Sequence, residues 1–449
     1  MTPRAAAYET LIRCEKEKQY ANLAINHIIQ KLDLDKKERD FFTQLVYGVI
    51  EKKITLDYIV KQYTEKSPKR LDLPVLIILR LTFYQLFFLD RIPQSAAVSE
   101  GVNLASRYAS RAKGYINAIL RKACRETFSY PNDKNNALSY VLSVKYSVSE
   151  EIVSLLLTQY PDRIIQILEA ISHTPYMTLQ INTLRATPDI FLSNSHLNAQ
   201  TLSIAPFAVR MKEHVSVSDM PFLKTGEAFV QDLASQLTTL LLTPGPDDTV
   251  VDVCACPGGK TFSAANFMCS QRQSEAEIKG SILSCDIHQS KLSLIQRGAD
   301  RLGFSFIRTQ CHDATIVMED FRAKANCVIC DVPCSGLGVI AKKPEIRYKP
   351  RHEIEQLPAL QFEILKAAAS YVKPGGTLVY STCTINQNEN YSVVERFLKD
   401  DPAFTIEKIP FPLDGLTYEL HNDCLTLFPS DLHDGFFMAK LTKRKNPLP

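Results

Sequence analysis

Residues 249–267, TVVDVCACPGGKTFSAANF, join an apolar β-branched run to a glycine turn and then to a helix-forming stretch. The run Thr249–Val253 predicts a buried strand, and Phe262–Phe267 predicts a helix beginning just after Gly258 and Gly259. Glycines let a backbone turn tightly and approach a ligand, and the free N–H groups of a helix N-terminus attract anions. The stretch therefore predicts the first strand, ligand loop and helix of an α/β domain.

The chain continues this alternation of apolar runs with helical stretches up to residue 443. Such alternation predicts βαβ units and a mostly parallel, Rossmann-like sheet over residues 231–443. The further predicted strands are Gly280–Cys285, Phe304–Thr309, Ala325–Val332 and Gly376–Tyr380.

The N-terminal part, residues 1–135, carries apolar residues at intervals of three and four and predicts an all-α domain. Asp35 and Pro74 are suited to helix starts, as an N-cap and a first-turn proline. Residues 140–230 mix helical patterns with a strand at Met177–Ile181, which predicts a small α+β insert. The predicted N-terminal helices are Ala5–Ile12, Leu23–Leu32, Glu38–Val49, Ile54–Tyr63, Pro74–Leu89, Ser95–Ser106 and Lys113–Cys124.

The composition is that of a soluble globular protein, with 449 residues, 45% hydrophobic and 22% charged. No apolar run is long enough for a membrane span and the start lacks a signal peptide, so we expect a cytosolic protein without membrane contact. In that compartment the 12 cysteines are expected to be reduced and available for packing, metal binding or catalysis.

Positive charge is concentrated in the N-terminal part. Residues 1–130 carry 22 Lys and Arg residues against 14 Asp and Glu residues. A basic cluster with interleaved tyrosines is typical of a phosphate-binding face, although an ordinary solvated helix surface has the same pattern. The cluster comprises Arg107, Arg111, Lys113, Arg121, Lys122 and Arg125, with Tyr108 and Tyr115.

The glycine loop is the predicted cofactor site, because it suits the methionine carboxylate of S-adenosylmethionine. A phosphate-binding P-loop is excluded, since its first glycine would fall on Cys254, and the dinucleotide fingerprint G-x-G-x-x-G is absent. The predicted cofactor-binding residues of the loop are Cys254, Ala255, Cys256, Pro257, Gly258, Gly259 and Lys260.

Acidic residues follow the next two predicted strands. Asp286 is placed to accept hydrogen bonds from ribose hydroxyls, and Asp313 to accept one from the adenine amino group. Either residue alone could instead be a helix N-cap. Their recurrence at successive strand ends favours a cofactor site.

Two cysteines, Cys334 and Cys383, follow the fourth and fifth predicted strands and are expected at the ligand edge of the sheet. Asp331 ends the fourth strand beside Cys334. Zinc binding by Cys327 and Cys330 is the rival interpretation, but side chains three residues apart on a strand face opposite sides. We therefore expect no metal.

Three segments together resemble the RNA (cytosine-5) methyltransferases that use two cysteines. They are VDVCACPGGKT (251–261), CDVPCSGLG (330–338) and KPGGTLVYSTCTINQNEN (373–390). The segments GEAFVQDLASQ (226–236) and DGFF (434–437) are similar to that family's lead-in and closing hairpin. Three positions depart from the usual motifs: Cys256 replaces an alanine, His312 a glycine and Gln180 an arginine.

The N-terminal part resembles NusB-type RNA-binding domains through LVYGVI (45–50), ILRLTFYQL (78–86) and GYINAILRK (114–122). The combination is similar to the bacterial 16S ribosomal RNA (cytosine-5) methyltransferases of this architecture. The resemblance implies S-adenosylmethionine as cofactor, 16S ribosomal RNA as partner and a monomeric enzyme. A non-catalytic RNA-binding ribosome-assembly factor, or the same chemistry on tRNA or 23S RNA, remains the alternative.

The resemblance also implies the catalytic roles. Cys383 would attack carbon 6 of cytosine, Cys334 would assist release, and Asp331, which also contributes to the cofactor site, would hold the base edge. Spacing does not decide the order of the two cysteines. A basic stretch after Asp331 could hold flanking phosphates, unless it is only a solvated loop. This stretch contains Lys342, Lys343, Arg347, Tyr348, Lys349 and Arg351.

Overall fold

The computed structural model of the chain describes residues 1–17, 19, 21–32, 34–215, 220–272 and 274–446. The chain divides into two compact units. The first contains Met1–Ile164 together with the short segment Lys343–Pro350, and the second contains Ile165–Lys342 and Arg351–Pro449. The boundary between the two units falls at Ile164. The predicted division into three domains, with limits near residues 135 and 230, stays a prediction.

The first unit is helical, which confirms the predicted all-α N-terminal part. Asp35 caps its third helix as predicted, in a reciprocal capping box with Glu38. The described helices are α1 (Pro3–Glu17), α2 (Ala21–Lys31), α3 (Lys36–Glu51), α4 (Lys53–Thr64), α5 (Leu73–Phe88), α6 (Gln94–Tyr108), α7 (Lys113–Ala123), α8 (Leu138–Tyr146) and α9 (Glu150–Gln159).

Helix α5 lies in the core of this unit because its apolar side chains surround the helix instead of forming one stripe. Its buried cation, Arg80, is paired with Asp57 at 2.7 Å and with Glu15 at 2.9 Å. These partners offset the cost of removing a guanidinium from water.

The second unit contains a small antiparallel sheet of strand order β2-β3-β1-β4. The predicted strand Met177–Ile181 is β1 of this sheet. The strands are β1 (Thr178–Ile181), β2 (Ala199–Leu202), β3 (Ala205–Met211) and β4 (Ala228–Val230). The accompanying helices are α10 (Ile164–Ala170), α11 (Pro188–Ser195), α12 (Pro221–Thr225) and α13 (Leu233–Leu242).

The same unit contains a larger sheet of order β11-β12-β13-β9-β8-β5-β6-β7, with β10 paired to β13. Strands β9, β8, β5, β6 and β7 are mutually parallel, which confirms the predicted Rossmann-like sheet. The strands are β5 (Thr249–Asp252), β6 (Ser281–Asp286), β7 (Ile307–Cys311), β8 (Ala325–Asp331), β9 (Val372–Thr382), β10 (Phe404–Glu407), β11 (Tyr418–His421), β12 (Cys424–Leu427) and β13 (Phe436–Lys443). The helices are α14 (Gly259–Ser270), α15 (Gln289–Leu302), α16 (Arg351–Glu355), α17 (Leu357–Tyr371) and α18 (Tyr391–Asp400).

The predicted third strand of this sheet was misplaced by about three residues. Phe304 and Phe306 were assigned to a strand over Phe304–Thr309, whereas β7 covers Ile307–Cys311. Phe304 is buried in the core just after the left-handed Gly303 that ends α15. Phe304 and Phe306 therefore belong to the turn between α15 and β7. Within β7 only Ile307 is buried.

Candidate active site

The carboxyl ends of the parallel strands bring the predicted site residues to one edge of the sheet. Of the predicted residues, Asp286 ends β6 and Asp331 ends β8, and Asp252, which was not predicted, ends β5. Cys334 follows β8 by three residues, and Cys383 immediately follows β9. Ligands of open α/β sheets bind at this edge.

The glycine loop is built as the sequence predicts. Gly258 has a φ of 110° and is the N-cap of α14, whose first residue is Gly259. A Cβ atom on Gly258 would lie 2.5 Å from the Phe262 ring. Gln231 donates a hydrogen bond to the Gly259 carbonyl at 3.0 Å. The loop is thus fixed from both sides, and position 258 accepts only glycine without strain.

A cavity of about 220 Å³ opens beside this loop. Its lining includes the predicted loop residues Cys254–Pro257, Gly259 and Lys260, together with Asp331. Sequence reasoning assigned no role to four further lining residues. These are Gln231, Asp232, Ser235 and Asp252. The first three come from the segment GEAFVQDLASQ, whose polar QD pair after an apolar strand was the available signal.

Asp331 is held between a cation and a hydroxyl. Its Oδ2 lies 2.8 Å from Lys260 Nζ, and its Oδ1 accepts a hydrogen bond from Ser381 Oγ at 2.7 Å. The Lys260 ammonium also lies 4.9 Å from the centre of the Phe436 ring. The carboxylate is therefore oriented by residues from three elements, α14, β9 and β13.

The two predicted catalytic thiols lie together. Cys334 Sγ is 3.1 Å from Cys383 Sγ, and neither cysteine is in a disulfide. The pKa of the Cys334 thiol is raised well above its usual value by the hydrogen bond with Cys383, by burial and by the charges of Cys383, Glu389 and Asp331. Cys334 therefore keeps its proton.

Asp286 lies against the glycine loop. Its Oδ2 accepts a hydrogen bond from Cys256 N at 3.3 Å and its Oδ1 accepts one from His288 N at 2.9 Å. Asp313 Oδ1 accepts two hydrogen bonds from Thr315. Neither Asp286 nor Asp313 is among the described residues that line the cavity. Their cofactor roles stay predictions.

The other cysteines near the loop have environments that keep them protonated. Burial raises the pKa of the Cys254 thiol well above its usual value, and burial also raises the pKa of Cys256. Cys327 and Cys330 pack in different core clusters on opposite faces of β8, as expected for a strand. The described residues contain no group of three or more His, Cys, Asp or Glu residues that could hold a metal ion.

The predicted phosphate-binding stretch is corrected at two positions. Arg347 is only 1% exposed and donates a hydrogen bond to the Tyr146 carbonyl at 3.0 Å. The Tyr348 hydroxyl donates to the Ile50 carbonyl at 2.6 Å. Both belong to the first unit, where they are structural. Lys343 and Arg351 are exposed, and Lys349 is half-buried.

Lys342 is also engaged, by two carboxylates of the second unit. Its Nζ lies 2.7 Å from Asp232 Oδ2 and 2.8 Å from Asp434 Oδ2. Burial opposes the charged form of Lys342, but the two carboxylates outweigh it and raise the pKa of the ammonium. Lys342 thereby joins the segment after Cys334 to the lead-in segment and to the turn before β13.

The first unit carries a groove of about 760 Å³ between α6 and α7. Arg121 and Arg125, both from the predicted basic cluster, line it, and none of its described lining residues is acidic. Tyr108 is not available as a stacking platform, because its ring stacks on Tyr8 and its hydroxyl is hydrogen-bonded to Glu9. Tyr115 is 37% exposed.

The fold and the sheet edge define a Rossmann-like methyltransferase joined in one chain to a NusB-like helical part. The family described as 16S rRNA methyltransferase RsmB/F matches residues 239–442, and the NusB family matches residues 1–125. The chain belongs to the RsmB/F family of 16S rRNA methyltransferases, which are S-adenosylmethionine-dependent.

Full-length relatives support this assignment. The chain is 32% identical to the "Probable ribosomal RNA small subunit methyltransferase B" of Bacillus subtilis (strain 168), over 98% of each chain. It is 32% identical to the protein of the same description from Synechocystis sp. (strain ATCC 27184 / PCC 6803 / Kazusa), over 99% of this chain and 100% of that one.

Solved structures share the fold. The crystal structure of PH0851 matches with a TM-score of 0.81 at 23% identity, over 99% of each chain. The structure of NSun6 from Pyrococcus horikoshii with SFG matches with a TM-score of 0.56 at 19% identity, over 66% of this chain and 99% of that one. No helix in the described part of the chain is long and apolar enough to cross a membrane.

Proposed function

We propose that the chain transfers a methyl group from S-adenosylmethionine to carbon 5 of a cytosine in 16S ribosomal RNA, through a covalent adduct of Cys383 with carbon 6. The observation that carries this proposal is the 3.1 Å separation of Cys334 Sγ and Cys383 Sγ, beside an Asp331 carboxylate that is oriented by Lys260. A single nucleophile would not need a second thiol in contact with it.

The residues of the cavity fit the cofactor. One oxygen of the fully buried Asp252, Oδ1, has no hydrogen-bond partner among the described residues, which suits a cationic ligand. The loop 254–260 would hold the methionine carboxylate at the start of α14, with Asp286 on the ribose and Asp313 on the adenine. When bound, S-adenosylmethionine supplies the methyl group.

The remaining chemistry falls to the chain's own side chains. Carbon 5 of cytosine is a poor nucleophile until a thiolate has added to carbon 6 and made the ring an enamine. Cys383 forms that S–C6 bond while Asp331 holds the N3/N4 edge and helps N3 take up a proton. After methylation of carbon 5, the Cys334 thiol gives up its own proton to solvent, and the resulting thiolate accepts the C5 proton. The electrons of that C–H bond restore the C5–C6 double bond, and Cys383 leaves as the thiolate.

Ribosomal RNA of the small subunit is the proposed partner. The names of the two full-length relatives point to it, and the groove of the first unit supports contact with RNA through Arg121 and Arg125. Bases that react in an enclosed site must leave their stack, so we expect the target to lie in a loop or an open region. We also propose a cytosolic monomer without metal, built from domains 1–135, 140–230 and 231–443.

The test uses purified protein, labelled S-adenosylmethionine and deproteinised 16S, 23S and transfer RNA. Label in 16S RNA that maps to 5-methylcytosine is the expected result. Label only in 23S or transfer RNA would overturn the substrate, and no label would favour a non-catalytic assembly factor. Cys383→Ser should abolish the covalent protein–RNA adduct, whereas Cys334→Ser should accumulate it. An adduct that survives Cys383→Ser would refute the assignment of the nucleophile.

A further inference from the structure

Glu389 is a fully buried carboxylate to which the proposed mechanism gives no role. Its Oε2 accepts hydrogen bonds from Ser335 N at 2.7 Å and from Gln361 Nε2 at 3.0 Å. Its Oε1 accepts one from Asn386 Nδ2 at 2.8 Å. All three donors are neutral, and the salt bridges of the described residues include none to Glu389, so the cost of burying this carboxylate is offset by hydrogen bonds.

Two of the three donors come from the two loops that carry the thiols. Ser335 immediately follows Cys334, and Asn386 follows Cys383 by three residues. Ser335 Oγ also lies 2.7 Å from Thr384 Oγ1. Glu389 therefore stands at the centre of a polar network that ties the loop after β8 to the loop after β9.

A third tie fixes the same two loops. Gly338 N donates to the Cys383 carbonyl at 3.0 Å. Gln361, on α17, donates to the Pro333 carbonyl at 2.9 Å as well as to Glu389. Several hydrogen bonds therefore restrain the two loops relative to each other.

We propose that Glu389 is a positioning residue that holds the Cys334 and Cys383 loops in register and keeps the proton of the thiol pair on Cys334 until Cys383 has bonded to the base. This inference rests on the proposed function, because it concerns the release of the covalent adduct.

The electrostatics agree with the geometry. Thiolate formation at Cys334 is opposed by the hydrogen bond and charge of Cys383, by burial, and by the negative charges of Glu389 and Asp331, which together raise its pKa. One of these charges, Asp331, is paired with the Lys260 ammonium. Once Cys383 is bonded to carbon 6, its charge and hydrogen bond are gone. Burial and the charges of Glu389 and Asp331 then remain as the influences that raise the pKa of Cys334.

The test is Glu389→Gln, which removes the charge at nearly constant volume. Purified wild type and variant are mixed with unmodified 16S RNA and S-adenosylmethionine, and the covalent adduct is followed by denaturing electrophoresis across pH 6 to 10. Because a nearby negative charge raises a thiol pKa, its removal should move the midpoint of adduct release to lower pH by roughly one unit. The tie to Ser335 is also weakened, so release at the plateau should be several-fold slower.

Gln361→Met is the matched control. It removes hydrogen bonds to Glu389 and to Pro333 without changing charge, so it should lower thermal stability and leave the pH midpoint of release at the wild-type value. A purely structural role for Glu389 would make the two variants behave alike, and that result would overturn the inference. The inference would also be overturned if Glu389→Gln folds and its pH midpoint of adduct release equals that of wild type.

Glu389→Asp covers the case in which Glu389→Gln does not fold. The shorter side chain keeps the charge but retracts it from Ser335 N, so release should slow several-fold while the midpoint stays near that of wild type. Release at the wild-type rate would refute the positioning role. If wild-type protein itself neither methylates 16S RNA nor forms an adduct, the proposed function fails instead, which separates the two claims.

Discussion

Asp252→Asn tests the electrostatics of the cavity through folding stability, independently of any RNA. Asp252 is fully buried at the end of β5, and its Oδ2 accepts a hydrogen bond from Thr261 Oγ1 at 2.7 Å. Burial raises the pKa of this carboxyl to about 7; the Thr261 hydrogen bond opposes the shift and the charge of Asp331 adds to it. Near neutral pH the side chain is therefore close to half-protonated in the folded protein.

The sign of the effect follows from comparing the folded and unfolded chains. The ordinary pKa of this carboxyl is 3.8, and its pKa in the folded protein is about 7, so between these values the folded protein binds more protons than the unfolded chain. The contribution of the raised Asp252 pKa to the free energy of unfolding is fully present below about pH 3.8. It is lost as pH rises through about 7. A shift of this size corresponds to at most about 4 kcal/mol of unfolding free energy.

Asparagine has no charge to bury, so the variant should lack this pH dependence. For a unit of this size, about 4 kcal/mol corresponds to roughly 10 °C in melting temperature. The melting temperature of Asp252→Asn relative to wild type should therefore rise by up to roughly 10 °C between pH 4 and pH 8. Calorimetry or circular dichroism across this range measures the difference directly.

Asp247→Asn supplies the control, because Asp247 is an exposed carboxylate shortly before the same strand. It should follow the wild-type pH dependence. Thr261→Val should have the opposite effect to Asp252→Asn, since it removes the hydrogen bond that favours the charged carboxylate. Parallel melting curves for wild type and Asp252→Asn at every pH would refute a raised pKa at Asp252.

Three further predictions concern the same edge of the sheet. Gly258→Ala combines left-handed backbone strain with a clash against the Phe262 ring, so it should weaken S-adenosylmethionine binding roughly tenfold or more in calorimetric titration. The control is Gly415→Ala, which has the same kind of backbone strain but no neighbouring atom within 4 Å, and which should bind S-adenosylmethionine normally. Lys342→Met leaves two buried carboxylates without their cation and should lower both melting temperature and methyl transfer, unlike the same change at the exposed Lys324. Diamide should oxidise the catalytic thiol pair to a disulfide, with loss of two hydrogens by mass and reversal by dithiothreitol, and Cys383→Ser should prevent it.

Periodicity was sufficient to predict most of the fold. The helices of the first unit repeat apolar residues at intervals of three and four, and the strands β5, β6 and β8 are rich in buried apolar residues, so local pattern and tertiary burial agree. The prediction was wrong at Phe304, where an apolar pair indicates burial but not conformation. The C-terminal strands β10 to β12 were missed because short strands with partly exposed faces leave little periodic signal.

Burial of charged residues could not be predicted from local sequence. The stretch that contains Arg347 reads as a solvated basic loop, because nothing near it in sequence shows what it contacts. Its partners, Tyr146 and Glu51, lie about 200 and 300 residues earlier in the chain. Composition indicates how much charge a segment carries. The tertiary fold decides which residues contact a charged side chain and bury it.

The order of the two thiols shows what the structure adds to the motifs. Spacing places Cys334 and Cys383 at equivalent strand ends and leaves their roles interchangeable. Cys334 faces the negative charges of Glu389 and Asp331 in addition to its partner thiol, and these raise its pKa. A thiol that keeps its proton is a poor nucleophile. The raised pKa of Cys334 agrees with the proposed order, in which Cys383 attacks and Cys334 acts later, and the adduct assays of Cys383→Ser and Cys334→Ser test that order.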